Sequence, residues 1–350
     1  MSRQDVVIVG GGVVGLTLAD SLTRRDPGLE VTVLEQHDWA SGATGYAGAV
    51  DIPYAHTPFH RDLVRSGRRW WNELDTATLP RTPLPFTWLV RGPEAAAHLQ
   101  DALLGPVRPV PEQADGAWRL PPGTRALAGQ AHVIDPALLC AVLLDRLAAR
   151  PGVRLVHHAR VERAEPRPDG ALAAVTADGR QWRADQCVLA LGAWLPGFVA
   201  DSAHWPSGFD VRTKRVFGLR VALSGRAAVQ HGVGSAEDGI FLFPVADGEF
   251  AMSIKHDVWD VTPAESELPD EVLARAAGFL DVVAGPGTWR LTRTRVFADT
   301  YTRDATPHLV PLDAAGDLFA VTGLHGSGIR LAAGMAEHTA KAILRHRQEN

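Results

Sequence analysis

The chain has 350 residues, 46% of them hydrophobic and 21% charged, with a formal net charge of −5. That balance predicts a folded protein of two domains; it excludes wholesale disorder and lacks the basic excess usual in nucleic-acid binders. Two cysteines, Cys140 and Cys187, exclude a disulfide framework, and no apolar run approaches the ~18 residues of a membrane span.

The N-terminus enters a β-branched strand at residues 6–9 without a charged leader and cleavage site, so a cytoplasmic location is expected. The strand ends in Gly10-Gly11-Gly12-Val13-Val14-Gly15, a helix with Leu18, Ala19 and Leu22 follows, and residues 31–35 form a second strand. This order predicts a βαβ unit. Residues 58–75 predict an amphipathic helix carrying Trp70 and Trp71 among arginines, one face packed and one solvated. Four prolines from Pro80 to Pro93 predict loop with short edge strands. Asp135-Pro136 predicts a capped helix running through Leu147, and strands are expected at 153–161, 172–176 and 186–191. From about 211 to 300 the texture changes to strands at 216–223, 239–245 and 249–255, with a hairpin turn at Asp247-Gly248, which predicts an antiparallel sheet; a helix at 269–283 follows. The last segment is a buried strand at 318–322, a turn Gly323-Leu324-His325-Gly326-Ser327-Gly328 and a helix at 329–344.

Gly10, Gly12 and Gly15 fit G-x-G-x-x-G between a strand and a helix. The first glycine allows the tight turn, the second lets backbone approach a pyrophosphate, and the third lets helix and strand pack closely. Val13 and Val14 open the helix whose free amides would face the phosphates. Glu35 follows 20 residues after Gly15, with Gln36 beside it, where a carboxylate accepts ribose hydroxyls. A dinucleotide is therefore expected. The second glycine turn, at 323–328, makes sense if another helix N-terminus reaches a further part of a large cofactor, which favours FAD over NAD.

Four segments together resemble the D-amino-acid oxidase superfamily of FAD-dependent flavoproteins, in its sarcosine-oxidase-like and glycine-oxidase-like branch. They are residues 6–35, the loop Ser41-Gly42-Ala43-Thr44-Gly45-Tyr46-Ala47-Gly48, the run Cys187-Val188-Leu189-Ala190-Leu191-Gly192-Ala193-Trp194, and residues 322–331. The resemblance implies an α/β, Rossmann-like FAD-binding domain (1–80, 131–210 and 301–350) interleaved with a mixed or antiparallel β-sheet substrate domain (81–130 and 211–300). It implies FAD contacts from Ser41, Ala43, Thr44, Ala47 and Gly48, from Leu191, Gly192 and Trp194, and from Gly323, Gly326, Ser327, Gly328, Ile329 and Arg330. Val161 falls where the family holds adenine through its backbone. Asp299-Thr300-Tyr301-Thr302 resembles a segment whose cysteine carries the flavin in some members; with Asp299 in that place, FAD is expected to be non-covalent.

The activity implied is oxidation of the C–N bond of a small amine or amino acid to an imine, by hydride transfer to flavin N5, with O2 as acceptor giving H2O2. A dehydrogenase using another acceptor is the near alternative. Readings of another class are a flavin monooxygenase and a non-catalytic flavin-binding protein; Gly316-Asp317, placed before rather than after the late strand, argues against the monooxygenase. Arg330 stands where the branch holds the substrate carboxylate, the alternative being an ion pair with a nearby acid. Lys255 is the candidate oxygen-activating cation if the register places it, rather than Ser253, over the flavin. Tyr46, Tyr301 and His325 are candidate pocket residues. Arg215 is a pocket cation or an ion-paired strand residue, and His256 is read as structural. His157-His158 lacks further zinc ligands, so no metal is expected. The expected partners are a small-molecule substrate and an electron acceptor, with no nucleic acid and no membrane.

Overall fold

The computed structural model describes residues 4–349 apart from 75–80, 111–117, 167–171, 177, 201–205, 207–208, 225–229 and 246–247. Asp247 of the expected hairpin turn lies outside the described residues.

Two sheets organise the chain. The first runs His308–Pro311, Leu318–Thr322, Gln181–Leu189, Gln4–Val9, Val31–Leu34 and Val153–Val156, and the hairpin Val161–Pro166/Leu172–Thr176 joins it at Gln181–Leu189. The strands from Leu318–Thr322 to Val153–Val156 are parallel. Val6 and Ile8 pack on the helix side and Val7 and Val9 on the other, which is why this strand is a continuous apolar run. The helices Val13–Arg25, Pro136–Ala148 and Gly328–Glu349 contribute Leu16, Leu143 and Met335 to the same core as Ile8. Asp135 caps the middle helix as expected, accepting the N–H groups of Ala137 and Leu138.

The second sheet has the order Trp289–Thr302, Val211–Leu223, Glu249–Ile254, Ile240–Pro244, Gly232–Ser235, Arg81–Val90, Arg125–Ile134 and Val50–Asp51, with Arg108–Pro109 also on Arg125–Ile134. It is antiparallel except where Gly232–Ser235 meets Arg81–Val90. The expectation of loop at 80–93 is corrected here, because Arg81–Val90 is paired along its whole length with Arg125–Ile134. Pro83 and Pro85 are tolerated since the second neighbour pairs only from Phe86 onward, leaving them flanked on one side. The single strand expected at 153–161 is two strands, broken where His158 adopts φ +52°.

One helix crossing positions the site. A Cβ on Gly334 would lie 2.1 Å from the Leu63 carbonyl oxygen, so Pro58–Glu73 and Gly328–Glu349 touch backbone to backbone. Trp70 and Trp71 are buried at this junction, and Trp70 Nε1 donates to Asp20 (3.2 Å), whose fully buried carboxylate also accepts from Arg24 and Arg150. The pair is thus packed core. Among the described residues no helix is long and apolar enough to cross a membrane.

Candidate active site

A cavity of about 1750 Å³ runs between the two sheets, larger than the roughly 300–1,000 Å³ of drug-sized ligand pockets. At one end stands the fingerprint turn. Gly10 has φ +116°, and a Cβ there would meet the Ala190 carbonyl oxygen at 2.3 Å, so only glycine fits. The Gly15 position is equally closed, at 2.0 Å from the Gly10 oxygen. The buried Glu35 carboxylate accepts the N–H of Gly11 (2.7 Å) and of His37 (2.9 Å), which fixes it at the end of its strand with lone pairs remaining for a ligand. Thr44 Oγ1 accepts the Val13 N–H at 3.1 Å and so ties the small-residue loop to the helix start.

At the other end the turn before Gly328–Glu349 faces the same space. First-turn amides of a helix have no intrahelical acceptor, so Val13–Arg25 and Gly328–Glu349 bring two sets of donors to one cavity. Asp299 Oδ2 accepts the Gly326 N–H (2.7 Å) and Oδ1 the Thr300 N–H (2.8 Å). Burial pushes this carboxyl up to about 6, and the two N–H donors oppose the rise. His325 has φ +55°, and its Nε2 accepts the Thr302 N–H at 3.2 Å, so the ring proton sits on Nδ1. Burial holds that imidazole down at about 4. Tyr301 packs edge-on against His325 (centroids 4.9 Å apart) and Trp259 (5.5 Å), and burial raises its phenol. The buried Lys214 ammonium lies over both the Trp259 and Tyr301 rings and pairs with Asp257.

Arg330 is anchored by this chain rather than by an acid. Its Nη1 donates to the carbonyls of Ile52 (3.1 Å) and Tyr54 (2.5 Å), and its Nη2 to Ser327 Oγ (2.8 Å). Among the described residues no carboxylate lies within 4.0 Å of it. Arg215 instead is buried and ion-paired with Glu265 at 2.6 Å. His256 stands 3.8 Å from Glu271.

Lys255, Arg330, Tyr301, Tyr46 and His325 all line the cavity, as do the expected cofactor residues except Gly15 and Gly323, which lie behind it. Lys255 falls one residue beyond Glu249–Ile254, over Gly239, while Ser253 sits within that strand opposite Phe241 and Gly218. Tyr46 is exposed and stacks on Phe297 at 6.0 Å. Tyr54, His56 and His60 also line the cavity and were missed from the sequence. For His60 a signal existed: with Leu63, Val64, Gly67 and Trp71 it forms the buried stripe of its helix. The pair His157 and His158 gains Asp38 as a neighbour, all three exposed, and such surface groupings are common without a metal.

The residues fit a flavin dinucleotide: a glycine cradle, a ribose-ready carboxylate and a second helix start at the far end of one cavity. Among the described residues neither cysteine lines it, and both are buried, consistent with non-covalent FAD.

Comparison with known proteins agrees. The family profile "FAD dependent oxidoreductase" (DAO) matches residues 5–342. L-proline dehydrogenase from P. horikoshii superposes with a TM-score of 0.83 at 17% identity, over 98% of this chain and 94% of that one. Glycine oxidase from Geobacillus kaustophilus gives 0.81 at 18%, over 99% and 95%. Iminodiacetate oxidase from a Chelativorans species gives 0.76 at 21%, over 97% and 95%. At these identities the likeness is one of fold. A curated relative, the probable malate:quinone oxidoreductase 2 of Pseudomonas aeruginosa, is 28% identical over 124 residues, covering 27% of this chain and 24% of its own length. The chain thus matches about a quarter of that relative.

Proposed function

The chain belongs to the DAO family of FAD-dependent oxidoreductases, and from that premise we propose that it oxidises the C–N bond of a small amino acid to an imine, with O2 as the final acceptor. The observation that carries the reading is Arg330: a guanidinium facing the cavity, held rigid by Ile52, Tyr54 and Ser327, with no carboxylate within 4.0 Å among the described residues and Asp51 acting on it only through space. A fixed planar cation that makes no ion pair among the described residues suits a substrate carboxylate.

Bound FAD would supply the two-electron acceptor, so that the substrate α-hydrogen would leave as hydride, an N–H proton would go to solvent, and a C=N bond would form. The chain's residues position and exclude. Arg330 orients the carboxylate, which fixes where the α-carbon lies. Tyr301, kept protonated by burial, and the neutral His325 wall the site without adding charge. Asp299 fixes the Gly326 amide, and with it the turn that leads to Arg330. No acid–base pair is required if the amine binds deprotonated.

The test is the visible spectrum of the purified protein under anaerobic addition of amines and amino acids. Bleaching by amino acids, and not by amines lacking a carboxylate, is expected, with recovery in air. No bleaching by any of them overturns the reading. A second reading, electron transfer to an acceptor other than O2, draws on Ser253 rather than Lys255 occupying the strand position opposite Phe241. Slow recovery in air with fast recovery on an added dye favours it.

A further inference from the structure

We propose that His60 is a specificity-determining residue that closes, with Arg330, a clamp on the carboxylate and amine of an α-amino acid; this rests on the amino-acid reading above.

His60 is only 5% exposed, yet it lines the cavity and neither of its ring nitrogens has a hydrogen-bond partner. An unmade hydrogen bond to a buried polar group costs about 1–3 kcal/mol, so native structures seldom leave one without a ligand or water. The ring belongs to the helix that crosses Gly328–Glu349 in backbone contact, and a Cβ on Gly67 of that helix would lie 3.8 Å from the Arg330 carbonyl oxygen. Burial, Arg330 and His56 hold the imidazole down at about 4, so it is neutral at ordinary pH.

Arg330 leaves capacity on its side. Two carbonyls and Ser327 Oγ take three of its five N–H groups, and among the described residues Nε makes no hydrogen bond. A neutral imidazole offers one donor and one acceptor. Beside a guanidinium, the donor matches a carboxylate oxygen and the acceptor matches an amine N–H. An α-amino acid carries those two groups on one carbon. A simple amine would leave the donor unmade, and a simple acid the acceptor. Asp304 acts on His60 and Asp51 on Arg330 only through space, with no hydrogen bond to either among the described residues, and the exposed His56, its ring centroid 6.4 Å from that of His60, and Tyr54 flank the site.

The experiment uses the FAD-loaded protein, with acetate and dimethyl sulfide, which is of similar size but carries neither a carboxylate nor an N–H, as unreactive probes. Binding is read from the shift of the flavin visible spectrum. His60→Phe is expected to weaken acetate about tenfold or more while changing dimethyl sulfide less than about twofold, and His60→Gln to restore most of the acetate affinity. A role in packing alone would spare acetate or weaken both probes equally, and either result overturns the proposal. If His60→Phe takes up no FAD, His60→Leu against His60→Gln gives the same comparison. The two failures are separable. If amino acids bleach the flavin but acetate affinity ignores residue 60, the His60 assignment alone falls. If no amine or amino acid bleaches it, the amino-acid reading falls with it.

Discussion

The carboxylate of Asp299 accepts the backbone N–H of Gly326 at 2.7 Å, across 27 positions of sequence, and so ties the end of the long strand Trp289–Thr302 to the turn that opens the last helix. Asp299→Ala frees that turn. Loss of a charge-assisted hydrogen bond is worth about 1.5–3 kcal/mol, so FAD affinity of the apoprotein should fall at least about tenfold, read by fluorescence titration. Unchanged affinity would show that the tie is dispensable.

Glu35 holds the opposite end. Replacing it with Ala leaves the buried Gly11 amide without an acceptor as well as removing the ribose partner. FAD binding should weaken by about 10- to 100-fold, and the apoprotein should unfold at lower temperature. A loss of affinity with no thermal shift would mean that solvent replaces the carboxylate at Gly11.

Arg330→Met removes the cation, and Arg330→Lys keeps it as a point charge that cannot serve Ile52, Tyr54 and Ser327 together. Both should raise KM for an amino acid about 10- to 100-fold, with Met the worse. Steady-state kinetics separates KM from kcat. Equal kcat/KM in the wild type and Arg330→Met would remove Arg330 from substrate binding.

His60 makes stability pH-dependent. Its folded value of about 4 lies below the unfolded 6.5, so the unfolded chain takes up a proton that the folded ring refuses. Stability therefore falls as pH drops from about 6.5 towards 4. His325, also at about 4, acts in the same direction, whereas Asp299, raised to about 6, regains stability as pH falls through 6. Between pH 7 and 5 the His60 share is up to about 2 kcal/mol. His60→Phe should flatten the pH dependence of urea unfolding by up to that amount, and an unaltered slope would contradict it.

Gly334 tests the helix crossing. A methyl group there collides with the Leu63 carbonyl, so Gly334→Ala must push two helices apart, at a cost of about 1–3 kcal/mol despite the helix propensity gained. Thermal unfolding should move down by several degrees.

Local patterns were legible in the sequence and distant pairings were not. Gly10 to Glu35 declares itself because strand, turn, helix and acid lie within one short unit. Asp135-Pro136 announced its helix for the same reason. Arg81–Val90 did not, since what admits Pro83 and Pro85 is the late arrival of a neighbour from residue 232. Gly232–Ser235 is too glycine-rich, and Trp289–Thr302 too rich in Arg and Thr, to show as strands before their partners are known. Arg330 could be suspected from its place after the glycine turn, but its anchoring to Ile52 and Tyr54 spans more than 270 positions. His60 went unnoticed because Arg and Trp dominate the look of its helix, although its place on the buried stripe marked it.

In the first sheet the strands Gln4–Val9, Gln181–Leu189 and Leu318–Thr322 lie side by side. Their pairing sets a timetable for synthesis. The strand Gln4–Val9 finds Val31–Leu34 early but waits for Gln181–Leu189 on its other edge, and loop closure over such a separation is slow. Until residue 330 has emerged, the fingerprint turn has only half of its cavity, so cofactor capture awaits the synthesis of that segment. A chaperone that shields the early βαβ unit would have the interval between residues 35 and 330 in which to act.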